Sequence, residues 1–167
     1  MEDNKTKIKI RAALSLLFKI IAIGMFLWAL THYVLCLHVN HEYNMYPAVH
    51  DGDLCISYRL SHYSAGDMVL YQTSGITRIG RIVSPEGHTI NITNQGVLID
   101  NSLQAEKIVY PTTEEGTTIQ LPCEVEEGHY FLMNDYREDV SDSRTLGTIQ
   151  KKDLLGTVVL VIRRRDF

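Results

Sequence analysis

The chain has 167 residues and a formal net charge of −4, room for one modest domain plus a short membrane segment. That balance excludes the strongly basic surface expected of a nucleic-acid binder. Cys36, Cys55 and Cys123 are too few and too odd in number for a disulfide framework, and read as unpaired structural thiols.

Lys5, Lys7, Lys9, Arg11 and Lys19 precede or interrupt an apolar run, and residues 20–37 hold no Asp, Glu, Lys or Arg. A membrane span takes about 20 mostly apolar residues, so residues 20–37 are expected to form a transmembrane anchor. The leading positive charges place residues 1–19 in the cytoplasm and residues 38–167 outside the cell membrane. The run ends in Leu35-Cys36-Leu37-His38-Val39-Asn40. It lacks the small-x-small pattern of a cleavage site, so it reads as an uncleaved anchor.

Beyond residue 40 short strand-like runs alternate with turn residues. Strands are expected at residues 54–58, 68–71, 76–83, 88–93, 97–100, 117–121, 129–133 and 156–162. Asn94-Gln95-Gly96 makes a hairpin-like turn. Residues 112–118 read as an exposed loop and residues 137–144 as a structured polar one. The sequon Asn91-Ile92-Thr93 falls in a strand-like run rather than a surface loop. The spacing predicts a mainly β protein: a transmembrane helix followed by an antiparallel β domain with sheets folded on each other.

Four segments then stand in a telling order. The first is Asn44-Met45-Tyr46-Pro47-Ala48-Val49-His50-Asp51-Gly52-Asp53, and the second is Gly66-Asp67-Met68-Val69-Leu70-Tyr71. The third is Gly80-Arg81-Ile82-Val83-Ser84-Pro85-Glu86-Gly87-His88. The last is Asn134-Asp135-Tyr136-Arg137-Glu138-Asp139-Val140-Ser141-Asp142-Ser143-Arg144-Thr145-Leu146-Gly147, followed by Leu154-Leu155-Gly156 before the final strand. These boxes, behind an N-terminal anchor, resemble the type I signal peptidases, particularly the compact Gram-positive form. The Asp-Ser-Arg segment with its Gly three residues later is the most specific of them.

The resemblance implies a serine nucleophile and a neutral lysine base. A serine hydroxyl is weak without a base to take its proton, and a lysine serves as base only when burial lowers its pKa. Here the serine position is Asn44 and the lysine position Gly80. The serine that supports the lysine is Val140, and the hydroxyl that assists the oxyanion is Glu42, whose carboxylate opposes developing negative charge. Arg78 and Arg81 stay protonated and cannot serve as a base. Cys55 and Ser57 are displaced from the nucleophile turn. By this reading no catalytic set is intact, and Asp142 and Arg144 are a structural ion pair.

The resemblance further implies a peptide groove between residues 39–44 and residues 76–80. Its residues are Tyr43, Asn44, Met45, Ile76, Thr77, Arg78, Ile79 and Gly80, and Gly80 is expected to leave open the space a lysine would fill. The expected function is that of the inactive signal-peptidase-like proteins of pilus loci, non-catalytic chaperones that assist sortase. The partners would be the membrane, pilin or other secreted segments and a sortase, without nucleic acid. An active signal peptidase with unusual residues and a regulatory partner of an active one are the alternatives. No cofactor is implied. His38, His41 and His50 lack the companions of a tight metal motif, so no metal is expected. Arg163-Arg164-Arg165 is either a solvated terminus or a contact to anionic headgroups.

Overall fold

The computed structural model describes residues 2–105 and 109–163, with side chains from residue 10 onward. Lys5, Lys7 and Lys9 fall outside the described side chains, and Arg164 and Arg165 outside the described residues. The chain divides into two units, Met1–Leu35 and Cys36–Phe167.

In the first unit, helix α1 (Glu2–Ala29) continues into a π-helical turn, Leu30–Val34. The stretch Ile10–Val34 is long and apolar enough to cross a membrane. That stretch starts before residue 20 and ends before residue 37. Lys, Arg, Leu and Ala are all good helix formers, so the basic lead and Lys19 continue the helix rather than precede it. Leu35, Cys36 and Leu37 instead open strand β1 (Leu35–Val39).

In the second unit β2 (Leu54–Tyr58), β3 (Met68–Thr73) and β4 (Ile76–Ser84) come first. Then come β5 (Thr89–Thr93), β6 (Gly96–Ile99), β7 (Ser102–Leu103), β8 (Cys123–Glu124) and β9 (His129–Met133). A short helix α2 (Ser143–Leu146), β10 (Ile149–Gln150) and β11 (Leu154–Ile162) complete it. Among the described residues these form a seven-stranded sheet, β1-β2-β11-β3-β4-β9-β10, and a four-stranded one, β7-β6-β5-β8. The fold is mainly antiparallel β behind an apolar helix.

Alternation along the strands makes three cores. Val69, Tyr71, Ile82 and Leu132 fill one face of the large sheet. Leu70 and Ile79 point to the other, where Met45, Val49 and Cys55 meet them. Ile90, Ile92, Val97, Phe131 and Met133 form the core of the smaller sheet. Gly156 is required where β11 crosses β2, because an added Cβ would lie 2.7 Å from the Tyr58 carbonyl oxygen.

The expected strand at residues 117–121 does not form. The backbone N–H groups of Thr118 and Ile119 both donate to the Arg144 carbonyl, at 2.9 and 3.2 Å, which removes them from any ladder. The loop at residues 112–118 is exposed along most of its length, but Thr112 is buried and accepts a hydrogen bond from Arg137 Nε at 3.0 Å.

One feature of the sheet positions the site. β4 pairs with β3 from Ile76 to Arg81, but β9 joins β4 only from Arg81 to Ser84. Among the described residues, 76–80 thus have a strand partner on one side only. The other side faces the turn that carries Asn44.

Candidate functional site

The segment after β1 is a clamped turn rather than a strand. Asn40 Nδ2 donates to the carbonyls of Glu42 and His50, and Asn40 and Asp53 join backbone to backbone at 2.9 Å. Asp53 accepts from the His50 N–H at 2.9 Å, an Asx-type bond that closes the turn. The expected groove strand at residues 39–44 is therefore absent, because its polar groups are spent inside the turn.

Asn44 sits at the turn's tip and is 2% exposed. Its Nδ2 donates to the Ile79 carbonyl at 3.0 Å and to Asn134 Oδ1 at 3.1 Å, and its own carbonyl accepts from the Tyr136 N–H at 2.9 Å. Two acceptors on one amide nitrogen settle the amide's orientation. Asn44 Oδ1 is left buried with no hydrogen-bond partner. The residue fastens the turn to β4 and to the segment after β9.

Gly80 leaves no open space. A Cβ there would stand 3.1 Å from Tyr71 Cε1 and 3.4 Å from Leu132 Cβ. The Tyr71 ring packs into the place where a longer side chain at position 80 would begin. Burial pushes the Tyr71 phenol up to about 12, with Asp142 and Glu42 adding to the rise and Arg78 opposing it. A phenol at that value stays protonated near neutrality and is no general base.

Arg78, opposite Tyr71 in the β3–β4 register, reaches over the cleft. Its Nη1 donates to the Ser141 carbonyl at 2.9 Å. Its Nε stands 3.6 Å from Glu42 Oε1, too far for a hydrogen bond, and is buried without a hydrogen-bond partner among the described residues. Glu42, Arg78 and Ser141 thus link the turn, β4 and the loop before α2.

Beneath that loop Asp142 and Arg144 form a pair in which each side chain is 1% exposed. Arg144 Nε and Nη2 bond the two carboxylate oxygens at 3.0 and 2.7 Å. Arg144 also donates to the carbonyls of Arg137 and Asp139, and Asp142 accepts from the Asn134 N–H. Nearly every donor and acceptor of the pair is thereby used, the condition under which a buried ion pair is tolerated. A second bidentate pair, Arg81 with Asp135 (Nε–Oδ1 2.7 Å), joins β4 to the same segment. Sequence reasoning placed Arg81 and Asp135 in separate boxes and missed their pairing.

A family model described as signal peptidase, peptidase S26, matches residues 11–163. The chain belongs to that family. A signal peptidase I of Bacillus amyloliquefaciens is 27% identical over 152 residues, covering 83% of this chain and 78% of the relative. The signal peptidase I of Bacillus licheniformis is 27% identical over 128 residues, covering 68% and 69%. Among solved structures, a signal peptidase I from Enterococcus faecalis V583 aligns at 20% identity with a TM-score of 0.46, covering 59% of this chain and 98% of that one.

Against the expectations for a signal peptidase, the cleft brings Glu42, Asn44, Arg78 and the surroundings of Gly80 together. Val140 stands apart. It is half-buried against Gly116, whose added Cβ would lie 3.0 Å from Val140 Cγ2, and it lines a separate cavity of about 470 Å³ with Pro111, Glu115 and Arg137. Of the expected groove residues, Met45 and Ile79 are core side chains and Gly80 is buried under Tyr71. Tyr43, Ile76, Thr77 and Arg78 present surface. Cys55 is fully buried, and burial followed by Asp53 pushes its thiol up to about 11. The Ser57 hydroxyl is buried and donates to the Cys36 carbonyl. Arg163 turns back to the Ala48 carbonyl at 3.4 Å.

A feature that the sequence reading missed lies beside Asn44. Tyr43, Tyr46 and Tyr136 line an open apolar cup of about 330 Å³, and Tyr110 packs edge-on against Tyr136 at 4.9 Å. The tyrosines are spread over separate segments, so no local pattern announces the cup.

Proposed function

We propose that this signal-peptidase-family protein is non-catalytic and holds extended segments of secreted proteins at the membrane surface by strand addition to residues 76–80 of β4. The observation that carries this reading is the Asn44 amide, which occupies the nucleophile position with both its N–H donors bound to protein acceptors. The half-paired edge of β4 supports the binding mode. The apolar helix would be the anchor, with its basic end in the cytoplasm and the domain outside. The cellular role would be that of an accessory in pilus assembly, with pilin segments as clients and a sortase as co-worker.

A second reading has its own support, since the relatives bear the name signal peptidase I. One assay separates the two. Purified full-length protein is incubated in detergent with a preprotein, beside an active family member. The non-catalytic reading expects intact preprotein, and cleavage at the authentic site overturns it. Crosslinking from membranes then identifies the partner: a pilin or sortase fits the proposed role, whereas an active peptidase as the sole partner favours a regulatory subunit.

A further inference from the structure

From the Arg78–Glu42 contact we infer that the cleft selects an acidic side chain on the segment it binds, and that Glu42 occupies that subsite when no segment is present. The inference rests on the strand-addition reading above and adds the chemistry of the ligand to it.

Arg78 is incompletely satisfied. Its Nη1 is fixed on the Ser141 carbonyl at 2.9 Å, which holds the guanidinium plane in place. Its Nε is shut off from solvent and has no hydrogen-bond partner among the described residues. A guanidinium donor buried without an acceptor costs free energy, and a carboxylate that reaches it forms a charge-assisted bond. The Glu42 carboxylate supplies opposite charge but stops at 3.6 Å. It belongs to the clamped turn, whose Asn40 bond holds the Glu42 carbonyl, and its side chain is 35% exposed. Displacing it returns a carboxylate to water and leaves the fold's cores untouched.

The location suits an incoming strand. Ile79 turns its carbonyl away from β3 toward Asn44. By the alternation of a ladder, Thr77 turns its N–H and C=O the same way. A segment laid along this edge passes Arg78. Other carboxylates around the site are committed elsewhere: Asp142 to Arg144, Asp135 to Arg81 and Asp139 to the Ser141 N–H. Glu42 is the loosely held one.

The test uses the full chain in detergent and a set of synthetic β-prone peptides. Each carries a single Glu at a different position, beside matched peptides with Gln or Lys there. Binding is read by fluorescence anisotropy. The wild type is expected to prefer Glu over Gln at one position only. Glu42→Gln is expected to raise affinity for that Glu peptide about tenfold, the scale of one charge-assisted bond, and to leave the Gln peptide unchanged. Arg78→Gln is expected to abolish the preference while still binding the Gln peptide. Its melting temperature shows that the domain is folded, and Glu42→Gln reads the subsite independently should it not be. Equal binding of Glu and Gln peptides at every position, or a preference for Lys, overturns the acidic subsite and leaves strand addition standing. Binding of no peptide to any variant overturns strand addition and the subsite with it.

Discussion

The ring of Tyr71 lies against the Cα of Gly80 so closely that a single added carbon at position 80 would stand 3.1 Å from Cε1. Gly80 is thus a packing position, and Tyr71 fills the room a lysine stem requires. Gly80→Lys and Gly80→Trp are therefore expected to destabilise the domain by about 1–3 kcal/mol, the usual cost of overpacking a core. Tyr71→Ala combined with Gly80→Lys is expected to recover part of that loss. Chemical denaturation of the four corners of this double-mutant cycle gives the coupling, and additive effects would refute the contact.

The same packing bears on placing a serine and a lysine at these positions. Asn44→Ser alone is expected to give no preprotein cleavage, because a serine hydroxyl is weak without a base and the Glu42 carboxylate faces the Arg78 guanidinium. Asn44→Ser with Gly80→Lys is expected to fail as well, since Tyr71 obstructs the lysine and Val140, turned toward Gly116, offers it no hydroxyl. Turnover by the single mutant in the detergent assay would show that another residue acts as base.

Asn44→Ala removes both donors that tie the turn to Ile79 and Asn134 and leaves their oxygens buried. The expected loss is about 1–3 kcal/mol, visible as a lower denaturation midpoint. A neutral substitution would show that the bridge contributes nothing net.

Asp142 and Arg144 are expected to tolerate single changes worst. Arg144→Met leaves a buried carboxylate unpaired, with an expected loss of about 3–5 kcal/mol. It also frees the Arg137 and Asp139 carbonyls. Far-ultraviolet circular dichroism during thermal melting measures the effect, and a shift no larger than that of Arg163→Met would contradict the assignment.

Alkaline pH is expected to weaken the domain in a defined window. Cys55 and Tyr71 are neutral when protonated, and both are raised in the fold, to about 11 from 9.0 and to about 12 from 10.0. A raised acid keeps its proton better folded than unfolded. Its contribution is complete below the unfolded value and disappears as pH rises through the folded one. The melting temperature should fall from about pH 9 upward, and Tyr71→Phe should flatten the part of the decline between 10 and 12.

The unit boundary makes a sharper truncation. Removing residues 1–35 keeps Cys36, whose carbonyl receives the Ser57 hydroxyl at 3.3 Å and whose side chain packs against the Met45–Cys55 core. The shortened chain is expected to be soluble and folded. Removal through residue 37 strips that cover and is expected to melt lower in differential scanning calorimetry.

Charge, apolar run length and period-two alternation are local properties, so the apolar helix and most β strands were written in the sequence. The peptidase boxes were legible for the same reason: the residue types at Asn44, Gly80 and the Asp142–Arg144 segment stand at fixed spacing. The ends of the apolar helix were not legible, because basic and apolar helix formers run together without a break. The strand expected at residues 117–121 was lost to the Arg144 carbonyl, a contact no local pattern encodes. Tertiary packing alone decided what surrounds Asn44, Gly80 and Val140. Asn44 finds acceptors 35 and 90 residues away, Tyr71 covers Gly80, Arg78 meets Glu42, and Val140 faces Gly116 instead of the cleft. Residue identity determined which groups stand at those positions. Close packing between distant segments decided which side chains surround them, because a buried volume is filled by whichever neighbour the fold brings to it.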